Sequence, residues 1–339
     1  MMDVIPQEIL DLRHFSGAAL RPLLEEEATA WRQRLRWDYR ASANLLIEYL
    51  DSHILPGFVA RQEQQVTGYV FCVYEASKAV IGDVFGSSKA GSRKITSGDD
   101  PGPADASARA AASQTEAQLI EHAVELLQHS PGVERIEAQL LLHPHGEHTG
   151  VFEQQGFRVH PRLYMERALS ARRSVDDTEI PAALDLRPWR DADYAAAGRL
   201  ISLAYQGHLD GTINDQYRTI AGSLRFLHNI VRFPGCGQFD PAASLVLTYR
   251  DRDELGGLLL CSRVSPEAGH ITQICVAPAW RRRGLGRMML ERCIGGLERR
   301  GLGYVSLTVT EANDSALALY QDMGFENRHT FDAMVWQRY

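Results

Sequence analysis

The chain has 339 residues, 45% of them hydrophobic and 23% charged, with a formal net charge of -7. That length exceeds what one hydrophobic core usually serves and points to two domains, while the negative balance repels phosphate backbones and anionic lipid, so neither a nucleic-acid nor a membrane partner is expected. No apolar run approaches the ~20 residues of a membrane span, and five scattered cysteines without a Cys-x-x-Cys pair read as reduced thiols of a cytoplasmic protein.

Along the chain, residues 86–113 are rich in Gly, Ser, Ala, Asp and Pro and predict a long flexible loop. Leu119, Ile120, Ala123, Val124 and Leu127 then recur at three- and four-residue intervals, predicting a helix over 115–128. A strand is expected over 139–142, followed by a short helix and a Gly-Phe turn ending at Phe157. His143, His145 and His148 lie between them beside Pro144 and Gly146, at spacing too loose for a metal motif; a solvated loop and no metal are expected. The charged stretch 171–183 reads as a linker, which divides the chain into domains 1–170 and 184–339.

The second domain predicts strands at 184–189, 244–250, 255–264, 270–276, 304–309 and 333–337. Helices are expected at 194–205, 217–232, 285–300 and 315–323. Antiparallel hairpins come early and one strand-helix-strand crossover comes late, the mixture of an α/β (α+β) fold. The halves also repeat: Phe152-Glu153-Gln154-Gln155-Gly156-Phe157 reappears as Tyr320-Gln321-Asp322-Met323-Gly324-Phe325, which an internal duplication explains.

The richest stretch runs from Ile271 to Arg287, a strand that stops at Pro278 and opens through a glycine-containing loop into a helix. Unpaired amides of a first helical turn bind anions, and Gly284 and Gly286 let a ligand approach the backbone. Met289 stands where a Rossmann fingerprint needs its third glycine, and no Gly-Lys-Ser/Thr supplies a Walker loop.

Val276-x-Pro278-x-x-Arg281-Arg282-Arg283-Gly284-Leu285-Gly286, followed by Asn313-x-x-Ala316-x-x-x-Tyr320-x-x-x-Gly324-Phe325, resembles the GNAT acyltransferase superfamily. The resemblance covers about 155 residues strongly, and the duplicated layout is similar to tandem members. It implies two domains, each a mixed, largely antiparallel central sheet flanked by helices, with acetyl-CoA as co-substrate. Its pyrophosphate would rest on the loop Arg281 to Arg287, including Arg282, Arg283, Leu285 and Gly286. Its pantetheine arm would pair along Ile274, Cys275 and Val276, where two strands splay, and the main chain near Val276 would meet the oxyanion.

By the same resemblance Tyr320 protonates the departing thiolate, Asn313 orients the pantetheine arm or merely caps the next helix, and His270 is the general base. A water chain to Glu267 or Glu311 is the other route for the proton. Strand alternation points Cys275 away from the face of His270, Ile274 and Val276, which disfavours an acyl-cysteine. The acceptor would lie along 207–217, with His208, Asp210, Asn214 and Asp215. The first domain has Phe152 in place of the tyrosine, His145 in place of Asn313, and acids where the phosphate loop belongs, so it reads as a degenerate copy without cofactor. The implied activity is acetyl transfer to a primary amine of a small molecule, protein or peptide, by direct attack in a ternary complex. A non-catalytic acyl-CoA-binding or interaction protein is the alternative, and a nucleotide-binding module is a third reading.

Overall fold

The computed structural model describes residues 7–89, 103–170, 179–233 and 235–338. In chain order its elements are β1 (Gln7–Asp11), α1 (Gly17–Leu35), α2 (Arg40–Asp51), β2 (Gly57–Gln62), β3 (Gln65–Glu75), β4 (Lys78–Gly86), α3 (Pro103–His129), β5 (Arg135–Gln139), α4 (Thr149–Gln154) and β6 (Arg158–Ala168). There follow β7 (Leu184–Pro188), α5 (Tyr194–Ala204), α6 (Asp210–Ile213), α7 (Ile220–Arg232), β8 (Gln238–Phe239), β9 (Leu245–Tyr249), β10 (Leu255–Arg263), β11 (Ala268–Val276), α8 (Leu285–Arg299), β12 (Tyr304–Thr310), α9 (Asp314–Asp322) and β13 (Glu326–Gln337).

Two expectations for the first half need correction. The predicted loop 86–113 is helical from Pro103 onward, because the alanine-rich stretch that looked like low complexity is also the strongest helix-forming composition; residues 90–102 lie outside the described residues, as do 171–178 of the expected linker. The strand expected over 139–142 is Arg135–Gln139, and Leu140 to His143 make a turn closed by the His143 amide on the Leu140 carbonyl at 3.0 Å.

The chain divides into two compact units that are not contiguous in sequence: residues 1–31, 42–161 and 331–339, and residues 32–41 and 162–330. The expected cut at 171–183 missed this exchange, since nothing in local composition marks a strand that joins a distant partner. In the first unit the strand order is β1-β2-β3-β4-β5, and residues 333–337 of β13 pair antiparallel with β5. In the second unit it is β6-β12-β11-β10-β9-β7 from residue 162 of β6, with β8 beside β10. Each sheet is antiparallel apart from one parallel pair, β4–β5 or β11–β12.

Helix periodicity determines what covers these sheets. In the first unit Leu119, Ile120, Ala123, Val124 and Leu127 of α3 are fully buried against Val70, Cys72, Ile81 and Val84. In the second, Leu285, Met288, Met289, Ile294 and Leu297 of α8 pack with Leu259, Ile271, Val305 and Leu307. The opposite face of that sheet takes Ala197, Leu200 and Ile201 of α5 and Leu227 and Ile230 of α7, against Val246, Leu258, Leu260 and Cys275.

One irregularity occurs in both sheets at the same station. Leu260 faces Gln273 and Cys261 faces Ile271, so Thr272 is the extra residue of a β-bulge; Phe71 faces Asp83 and Cys72 faces Ile81, so Gly82 is its counterpart. The parallel pairing runs only as far as Ile271 opposite Leu307, and Ile81 opposite Ala138, among the described residues. Beyond the bulge each pair of strands parts, although β11 continues to Val276 and β12 to Thr310.

Candidate active site

Past the parting point, Pro278 ends β11 and a short 3-10 turn leads to Arg282 at φ 58° and Gly284 at φ 77°, both left-handed. Alternating handedness of this kind turns successive main-chain amides toward one concavity. Gly284 is the N-cap of α8; no side chain caps that helix and no acid stands in its first turn. The leading amides of α8 and the positive end of its dipole therefore favour an anion. A Cβ on Gly286 would meet nothing closer than Leu319 Cδ2 at 4.0 Å, so the fold does not itself require glycine there.

The arginines divide their work. Arg281 donates from Nε to the Val276 carbonyl at 3.3 Å and from its guanidinium to the Ala204 carbonyl at 2.5 Å, tying the end of α5 to the end of β11. Arg283 lies over the Trp280 ring at 4.9 Å, and Arg287 is paired with Asp322. Within the loop Arg281 to Arg287, where an anion cradle is expected, the side chains of Arg281 and Arg287 are thus engaged by protein groups.

The bulge at Thr272 changes which side chains share a face. Ile271, Ile274 and Val276 all belong to the α8 side, whereas Cys275 belongs to the α5 and α7 side. His270 alternates with Ile271 and so shares the face of Cys275, not that of Ile274 and Val276 as unbroken alternation predicts. Its ring is stacked on Tyr164 with centroids 5.9 Å apart, lies 5.0 Å from Trp37, and shares a hydrogen bond between Nδ1 and Ser306 Oγ at 2.9 Å. Burial, then the nearby Arg162 charge, pushes its pKa down to about 3. An imidazole so reluctant to take a proton is a poor base near neutrality, and the expected role of His270 is corrected to that of a packed, neutral ring. Burial likewise raises the Cys275 thiol to about 12, which leaves it no nucleophilic thiolate.

Three elements converge where β11 and β12 part. Asp210, at the start of α6, accepts a hydrogen bond of 2.5 Å from Thr310 Oγ1 at the end of β12. Tyr320 of α9 is 7% exposed, its ring edge-on to Phe325; burial, then the Asp210 carboxylate, raises its pKa, so the phenol keeps its proton. Asn313 caps α9, with Oδ1 accepting from the Ala316 amide at 3.3 Å. Sequence reading missed Tyr205, Tyr217 and Gln273: the two tyrosines stack with centroids 4.4 Å apart, and the Tyr205 hydroxyl donates to Gln273 Oε1 at 2.9 Å.

Residues 210–325 match the Acetyltransferase (GNAT) family. The second unit belongs to the GNAT family. The chain is 42% identical over 82 residues to the [Ribosomal protein bS18]-alanine N-acetyltransferase of Salmonella typhimurium, a match covering 24% of this chain and 53% of that protein. It is 27% identical over 209 residues to the mycothiol acetyltransferase of Renibacterium salmoninarum, covering 59% and 57%. The chain thus spans about half the length of these relatives. In fold it is similar over 98% of its length to a GCN5-related N-acetyltransferase from Sphaerobacter thermophilus, at TM-score 0.62 and 16% identity, with 97% of that chain covered.

The first unit is GNAT-like as well. Its Gly-Phe turn repeats that of the GNAT unit: Gly156 and Gly324 both sit at φ 80°, and the Phe157 and Phe325 amides close onto the Phe152 and Tyr320 carbonyls at 3.0 and 2.9 Å. Its strand parting, however, is filled by its own side chains. Counting from the bulge, Val84 and Gly86 stand where Ile274 and Val276 stand in the GNAT unit. The Val84 carbonyl is bonded to His143 Nε2 at 2.9 Å, and the Gly86 amide donates to Glu116 Oε1 at 2.7 Å. His143 and His148 are therefore buried, at 7% and 4% exposure, and do not form the solvated loop expected from sequence.

Proposed function

We propose that the second unit is an acetyl-CoA-dependent N-acetyltransferase acting on a primary amine, and that the first unit holds no acyl carrier. The observation that carries this reading is the uncapped start of α8 beside the parted edge of β11. There the first-turn amides from Leu285 to Arg287 would receive the diphosphate, and the main chain from Ile274 to Val276 would pair with the pantetheine arm. A main-chain amide near Val276 would meet the thioester oxygen as it gains charge.

The acceptor nitrogen, as the free amine, attacks the thioester carbon; a C–N bond forms, the C–S bond breaks, the nitrogen gives up a proton to water and the thiolate takes one. Tyr320, which keeps its phenolic proton, is the donor. Asp210, fixed by Thr310 and close enough to Tyr320 to act on it electrostatically, attracts the acceptor's ammonium group in this reading, and that group gives a proton to water before it attacks. The relatives' names point to an alanine of a ribosomal protein and to mycothiol; peptide and small-molecule amines are both candidate acceptors.

Calorimetry with coenzyme A, followed by thiol release from acetyl-CoA across a panel of amines and peptides, tests this. One bound coenzyme and amine-dependent thiol release are expected, and no heat with coenzyme A overturns the reading. Binding without release on any amine would leave a non-catalytic acyl-CoA carrier. ATP stabilising the fold as strongly as acetyl-CoA would favour a nucleotide module; ligand at ~100 times Kd adds about 2.7 kcal/mol, visible as a thermal shift.

A further inference from the structure

We propose that Glu116, His143, Glu147 and His148 form a binding site for a divalent transition metal of the zinc class inside the first unit. One donor atom from each of these four residues lies within 4.8 Å of the others. His148 Nε2 is 3.1 Å from Glu116 Oε2, and His143 Nδ1 is 3.5 Å from both Glu116 Oε2 and Glu147 Oε2. A tetrahedral zinc site with bonds of about 2.0–2.1 Å separates its ligands by roughly 3.3 Å. The protein holds its donors close to that spacing.

Two of the ligands are oriented from behind, as metal ligands generally are. His143 Nε2–H donates to the Val84 carbonyl at 2.9 Å, which turns Nδ1 with its lone pair toward the two glutamates. Glu116 accepts the Gly86 amide on Oε1 at 2.7 Å, leaving Oε2 to face both histidines.

His148 is 4% exposed, and its Nδ1 is buried without a hydrogen-bond partner. Two imidazoles with two carboxylates select zinc, cobalt or nickel over the oxygen-loving magnesium and calcium. Glu147, the most exposed of the four side chains at 32%, gives the ion its way in. His143, Glu147 and His148 all come from the turn before α4, which bends at Gly146 with φ 91°. A metal here would pin that turn to α3 and keep the strand parting of this unit shut, a structural role independent of acetyl transfer.

The test uses the full chain stripped with a chelator. Titration with Zn2+ is expected to show one tight site with proton release and a raised melting temperature. Co2+ should give the strong visible absorption of tetrahedral coordination, and Mg2+ should do nothing. His148→Gln is expected to weaken Zn2+ by at least ~100-fold. Glu147→Gln, a change at the exposed ligand that leaves the core intact, should weaken it at least ~10-fold with an unaltered circular dichroism spectrum. Absence of a stoichiometric Zn2+ site in the folded chain, or wild-type affinity in a folded Glu147→Gln variant, overturns the proposal, because either result removes these residues as ligands.

Discussion

The imidazole of His270 lies nearly parallel to the ring of Tyr164, 8° between planes, and this buried contact makes stability depend on acid. The His270 pKa falls from 6.5 to about 3 in the folded protein, through burial and then Arg162. The unfolded chain therefore binds more protons between these values, so stability is complete above pH 6.5 and is lost progressively as pH falls toward 3, by an amount on the order of several kcal/mol. Urea midpoints at pH 7 and pH 4 should differ less in His270→Gln than in the native protein. An unchanged difference would show that other groups carry the acid branch.

Gly286→Ala should separate folding from binding. The methyl group has space within the protein and a better helix propensity, so stability should hold or rise by up to ~1 kcal/mol. Coenzyme A affinity should drop by roughly tenfold or more, because the methyl would intrude where the proposed site holds the diphosphate. Calorimetry beside a melting curve reads both.

Tyr320→Phe keeps the ring against Phe325 and removes only the hydroxyl. Turnover should fall on the order of 100-fold, as expected for loss of a proton donor, with the acetyl-CoA KM little changed. Equal turnover in the two proteins would assign the tyrosine to packing alone.

Asp210→Asn retains an oxygen for Thr310 but loses the charge. The acceptor KM should rise by about tenfold or more while that for acetyl-CoA stays put. A change confined to acetyl-CoA would place the carboxylate on the wrong side of the reaction.

Asn313→Ala should cost about 1 kcal/mol through loss of the cap on α9, with the acetyl-CoA KM unaltered. A raised KM at unchanged stability would instead make this side chain a cofactor contact.

Much of the second unit could be read directly because its signals are local. The apolar spacing of α8, the stop at Pro278 and the glycines at 284 and 286 each act within a turn of themselves. What escaped depends on partners far along the chain. The bulge at Thr272 exists only in relation to β10, and it moved His270 to the other face. His143 and His148 resembled loop residues beside Pro144 and Gly146; their burial comes from Glu116, which lies on a helix some distance back. Ala-rich 104–112 gave a pattern shared by low complexity and helix, and only the structure of α3 decides between them.

The strand formed by residues 333–337 closes the sheet edge of β5, yet a ribosome delivers it nearly two hundred residues after β5 itself. Until those residues emerge, the early half of the protein carries a bare, pairing-competent border. It cannot mature ahead of the later half like beads on a string, and clipping the chain after Thr330 should leave it aggregation-prone even though most of its residues are untouched.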